Sequence, residues 1–158
     1  DAIWLALLAA DVGKGDEVIV PSHTYIASPA AIKFVCAEPI LEIARQVKKV
    51  HPDIPIIAFP KGAPLNLPDL VKAAEIDAIG IDYSIDPAWA AHELQPHAVI
   101  QGNLDPTLLL AGGDKLERSA KDIIETFSKG PHIFNLGHGI LPQTPVKHVE
   151  QLIASVRG

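Results

Sequence analysis

Apolar positions along the chain follow two alternating patterns. Short β-branched or apolar runs at Glu17 to Val20, Pro55 to Phe59, Ala78 to Ile81, Ala98 to Ile100 and His132 to Phe134 read as five buried parallel strands. Between them, apolar residues recur at helical spacing. Ile40, Ile43, Ala44 and Val47 form one stripe, Leu116, Ala120, Ile123, Ile124 and Phe127 a second, and Val146, Val149, Leu152, Ile153 and Val156 a third. Strands alternating with helices predict an α/β fold: about five parallel strands with flanking helices and right-handed crossovers. The first and second strands stand further apart than one crossover helix requires. Either a short extra strand intervenes at Phe34 to Ala37, or two segments of different origin meet near residues 36 to 41.

Helix starts carry their own signal. Ser28-Pro29, Asp86-Pro87, Asp105-Pro106 and Thr144-Pro145 each pair a capping oxygen with a proline suited to the first helical position. Parallel strands share a direction, so the polar clusters that follow them emerge on one edge of the sheet, where α/β folds bind ligands. Those clusters are Ser22 to Tyr25, Lys61-Gly62, Asp82-Tyr83-Ser84, Gln101 to Asp105 with Asn103 at its centre, and Asn135 to Gly139. His97 and His132 fall at the opposite edge and read as structural or solvated.

Composition narrows the function classes. The 158 residues are 48% apolar and 20% charged, with net charge −6 and pI near 5.6. That suits one globular domain and argues against nucleic acid or an anionic membrane surface as partner. The apolar runs fall short of the roughly 18 residues a membrane helix needs. A single cysteine, Cys36, excludes an internal disulfide, fits a cytoplasmic protein and reads as a small buried apolar residue. Because the chain opens at Asp1 and has no methionine, it reads as a fragment or an assembled sequence.

Among the polar clusters, His138 between Gly137 and Gly139 is the first candidate for chemistry. An imidazole near neutrality can bind carboxylates or move protons, and its flanking glycines allow close approach. The competing reading is a loop histidine that caps a turn. Asp82 and Asp105 could work as acid and base, but Asp105 is better read as a helix cap, and Asp82 is divided between lining a site and bonding loop amides. Lys61 is read either as an anion contact or as a solvated lysine. Tyr83, Ser84, Gln101, Asn103 and Asn135 are candidate lining residues. His23 is not paired with Ser22, since neighbours on an extended segment face opposite ways. Gly13-Lys14-Gly15-Asp16 precedes a strand, the wrong order for a phosphate cradle. No metal or cofactor is expected.

From about Pro39 onward the chain resembles uroporphyrinogen decarboxylase. The resemblance rests on Leu41 to Val47, Phe59-Pro60-Lys61-Gly62-Ala63, Gly80-Ile81-Asp82-Tyr83, Gln101-Gly102-Asn103-Leu104-Asp105-Pro106 and His132 through Pro142. It implies a cofactor-free enzyme that removes four acetate carboxyls from uroporphyrinogen to give coproporphyrinogen. The implied fold is a (β/α)8 barrel, of which this stretch would supply the last four or so units, rearranged as an open twisted sheet. His138 corresponds to the family's active-site histidine, while the family's arginine-bearing amino-terminal loop, early-strand aspartate and middle-strand tyrosine and serine have no counterparts here; Lys61, Asp82, Tyr83, Gln101, Asn103 and Asn135 are the candidate contacts for an anionic tetrapyrrole. Residues 1–40, with Gly13 to Ser28, resemble DegT-type sugar aminotransferases, although without that family's phosphate-binding pair or Schiff-base lysine. Together the two resemblances imply one α/β domain built as a chimera with its join near residues 36 to 41 and no catalysis of its own. The alternative is a lyase, or a porphyrinogen-binding domain completed by another chain. Five strands cannot close an eight-stranded barrel, so exposed edges favour an open sheet or a homodimer.

Overall fold

The computed structural model describes residues 27–61 and 67–157, with side chains from Glu38 onward. The expected strand at Glu17 to Val20, the Ser22-His23 pair, the Gly13 turn and the Cys36 side chain lie outside the described residues. The chain divides into two compact units, Asp1–Ile79 and Gly80–Gly158.

The first unit contains helix α1 (Ala27–Val50), strand β1 (Ile57–Ala58), the short helix α2 (Leu67–Leu70) and the start of β2 (Ala78–Gly80). Phe34 to Ala37 are helical, inside α1, so no extra strand intervenes there. The spacing of Ile40, Ala44 and Val47 continues the helix through Pro39, and Ala44 is buried. Ile43, expected in the same stripe, is exposed. β1 pairs with β2 in parallel, Ile57 opposite Ala78 and Ala58 opposite Ile79. The carboxylate of Asp77 ties the unit together, accepting from Lys48 Nζ at 2.8 Å and from the Ile56 amide at 2.7 Å. The Lys48 hydrogen bond first, and the Ile56 amide next, hold this carboxyl below its ordinary value.

The second unit continues with α3 (Pro87–Glu93), β3 (Val99–Leu104), α4 (Pro106–Ala111), α5 (Gly113–Thr126), β4 (His132–Leu136) and α6 (Val146–Arg157). Ile81, just beyond β2, donates its amide to the Gln101 carbonyl of β3 at 2.9 Å. β3 and β4 pair in parallel from Ile100 opposite His132 to Leu104 opposite Leu136. The caps at Asp86 and Asp105 form as the sequence suggests, accepting from the Trp89 and Thr107 amides at 2.8 Å. Thr144 does not: its buried hydroxyl oxygen has no partner among the described residues, and α6 begins at Val146. Leu116, Ala120, Ile123 and Phe127 of the α5 stripe are buried as expected. On α6 only Leu152 is buried, while Val146 and Ile153 are exposed, so the helix is rotated from its simplest apolar reading.

The strands form one parallel sheet in the order β1-β2-β3-β4. Spatial order therefore equals chain order. A doubly wound sheet reverses order at a switch point, whereas successive βα units of a barrel do not. Four strands are present among the described residues, an α/β fold with an open sheet consistent with part of a barrel. Along β4, Ile133 and Asn135 are exposed while His132, Phe134 and Leu136 are half-buried, the period of a strand covered on one face.

Candidate functional site

Both β3 and β4 run further than their apolar cores suggest. Gln101 and Asn103 lie within β3, and Asn135 within β4, rather than in the loops that follow. Gly102 adopts φ 140°, and a Cβ there would come 2.6 Å from the Ile81 carbonyl oxygen, so only glycine allows β3 this approach to the chain after β2.

The residues gathered at the carboxyl ends are held by short-range bonds. Asp82 accepts from the Ser84 amide at 2.8 Å and the Ser84 hydroxyl at 2.5 Å, which favours the loop-amide reading. Asp105 caps α4 as described. Each carboxylate is thus engaged in its own loop, and nothing in the geometry brings them together as an acid–base pair. Asn135 accepts from the Leu136 amide at 2.8 Å. Tyr83 is half-exposed at 52% and lines a cleft of about 230 Å³ with Asn103, Asp105, Leu108 and Asp122. Lys61 is exposed and belongs to the first unit.

His138 is exposed. Its Nδ1 accepts the Gly139 amide at 2.6 Å, which assigns the neutral-ring proton to Nε2. The Nε2–H has no partner among the described residues and can donate to an incoming carboxylate. The loop bearing it is firmly seated. Gly137 donates its amide to the Leu104 carbonyl at 2.8 Å. Its Cα lies so close to the Asp82–Tyr83 peptide that a Cβ would overlap the Tyr83 nitrogen. The glycine before His138 therefore serves packing against protein backbone, where the sequence suggested room for a ligand.

His132 lies elsewhere. Its ring stacks on Phe127 with centroids 4.5 Å apart and donates from Nε2 to the Gly102 carbonyl at 2.8 Å. Burial pushes its imidazole below the ordinary value, partly offset by that hydrogen bond. It is a structural histidine. Two buried amides have roles the sequence did not show: Asn103, expected as a lining residue, and Gln95, which carried no signal. Asn103 Nδ2 donates to the Ile85 and Asp82 carbonyls at 2.8 and 3.3 Å, and Gln95 Nε2 to the Phe127 and Pro131 carbonyls at 2.9 and 3.3 Å. Among the described residues no group of three or more His, Cys, Asp or Glu side chains is placed to hold a metal ion. No helix among them is long and apolar enough to cross a membrane.

The uroporphyrinogen decarboxylase (URO-D) family matches residues 15–158. The chain belongs to the uroporphyrinogen decarboxylase family. The uroporphyrinogen decarboxylase of Sphingopyxis alaskensis is 48% identical over 131 residues, covering 83% of this chain and 38% of its own length. That of Novosphingobium aromaticivorans is 44% identical over 158 residues, covering 99% and 46%. The chain thus spans less than half the length of these curated relatives. A methyltransferase from Methanosarcina mazei superposes with a TM-score of 0.68 at 22% identity, over 82% of this chain and 37% of that one, a likeness of fold alone. The family match begins at residue 15 and crosses the join expected near residues 36 to 41. Nothing in these relatives supports a fused aminotransferase-like segment, and α1 passes through that point as one helix.

Proposed function

We propose that this chain supplies the carboxy-terminal part of a uroporphyrinogen decarboxylase-type site and binds an anionic tetrapyrrole through the His138 loop. The observation that carries this reading is the arrangement at His138. Nδ1 is occupied by the Gly139 amide, Nε2–H meets no acceptor among the described residues, and Gly137 fixes the loop against the turn after β2. Such a ring can donate a hydrogen bond to a substrate carboxylate.

On its own the chain binds without turning over. The segments 82–86 and 137–144 contain no lysine or arginine. A tetrapyrrole bearing several carboxylates needs such cations to offset its charge in a partly desolvated site. Tyr83, Gln101 and Asn135 supply polar lining, with no cofactor. The remaining groups come from a completing chain, with a second copy covering the exposed face of β4 as the simplest case. A cytoplasmic setting accords with this reading.

The experiment is a fluorescence titration of uroporphyrin with the full chain, combined with an assay for carboxyl loss from uroporphyrinogen. Saturable binding without coproporphyrinogen is expected. Failure of uroporphyrin to bind overturns the proposal, and coproporphyrinogen formed by this chain alone establishes the lyase alternative instead.

A further inference from the structure

We infer that Asn103 is a positioning residue for His138, because its buried carboxamide locks the Asp82–Ile85 turn on which the His138 loop is seated. The inference rests on the reading of His138 as the ligand-contacting group. Asn103 is 4% exposed, and its Nδ2 donates to carbonyls at both ends of that turn, Asp82 and Ile85. Two carbonyl oxygens can face only the NH2 end of the amide, which fixes its orientation. The other end, Oδ1, is then left buried without a partner among the described residues. An apolar residue of similar size would avoid that unpaired acceptor, so the side chain is explained by what its donor does.

The consequence reaches His138 by two routes. The turn held by Asn103 presents the Asp82–Tyr83 peptide, against which Gly137 packs with no room for a Cβ. The Leu104 carbonyl, one residue after Asn103 in β3, accepts the Gly137 amide. Slackening the turn would thus remove the seat of the loop and leave only its lateral tie to β3. Gln95 supplies the contrast within the same unit. It is similarly buried at 7% and similarly bonded to two carbonyls, but these belong to Phe127 and Pro131, before β4 rather than beyond it.

The test is amide hydrogen exchange by NMR on the full chain, with the imidazole nitrogens of His138 followed in the same samples. In Asn103→Leu, the Gly137 and Gly139 amides are expected to exchange about tenfold faster relative to amides of α5. The ring nitrogens of His138 should move from the pattern of one tautomer to an average of two. Gln95→Leu should lower stability while leaving the exchange of Gly137 and Gly139 unchanged relative to α5. If Asn103→Leu does not fold, Asn103→Ser, which keeps one donor in a smaller volume, should show the same local change at reduced size. Unchanged relative exchange at Gly137 and Gly139 in the folded variant overturns the inference. No ligand enters these readouts, so failure of uroporphyrin to bind would defeat the proposed function and leave this test standing.

Discussion

A methyl group at Gly137 has nowhere to go, because the Asp82–Tyr83 peptide already occupies its place. Gly137→Ala is expected to cost about 1–3 kcal/mol of stability, as overpacking does. Urea denaturation should show a lower midpoint, and an unchanged midpoint would refute the packing account. His132 gives a second prediction at this scale. Its pKa in the folded chain lies below the ordinary 6.5, so the unfolded chain binds its proton more readily. Its stabilising contribution is complete above that value and is lost as pH falls through the folded-state pKa. Midpoints measured across this range should decline on acidification, and His132→Gln should flatten that decline. The same residues show how far sequence reasoning reaches. Asp105 was legible as a cap because capping is local chemistry. The roles of Gly137 and Asn103 depend on which turns the fold brings beside them, and no spacing along the chain encodes that.

At the scale of elements, caps and apolar periods carried most of the legible information. The side chains of Asp86 and Asp105 each occupy a first-turn amide of their helices, so Asp86→Ala and Asp105→Ala should each lower stability by about 0.5–2 kcal/mol. Thr144 has the same sequence signature and no such bond. Thr144→Val should therefore be neutral or slightly stabilising, since it removes a buried hydroxyl that has no partner among the described residues. Thermal melts of the three variants separate these outcomes, and a Thr144→Val loss as large as the aspartate losses would show that a cap exists after all. The ends of β3 and β4 were less legible. Gln101, Asn103 and Asn135 are polar, and polarity suggested loops, but ladder hydrogen bonds to the neighbouring strand use backbone groups and tolerate polar side chains. The rotation of α6, which leaves Val146 and Ile153 exposed, follows from tertiary packing against α4 and α5. His148 reaches the Leu109 and Leu110 carbonyls, and Gln151 bonds Gly113 and Glu117, fixing which face turns inward.

For the molecule as a whole, the sequential strand order supports part of a barrel, and the curated relatives are more than twice as long as the matched region. Exposed Ile57 and Phe59 in the first unit, and Ile133, Ile140 and Ile153 in the second, are apolar surfaces suited to burial against another chain. Sedimentation velocity should show self-association, reduced by Ile133→Lys on β4, and a monomer at all concentrations would exclude the second-copy form of the proposal. The parallel βα pattern was legible from periodicity because it repeats. The central claim is that His138 meets an anionic tetrapyrrole. Its most direct test is a uroporphyrin titration of the wild-type chain beside His138→Ala at matched stability. Saturable binding that weakens about tenfold or more in the variant, the loss expected for a charged hydrogen bond of roughly 1.5–3 kcal/mol, is the predicted result. Equal binding by both chains would contradict it.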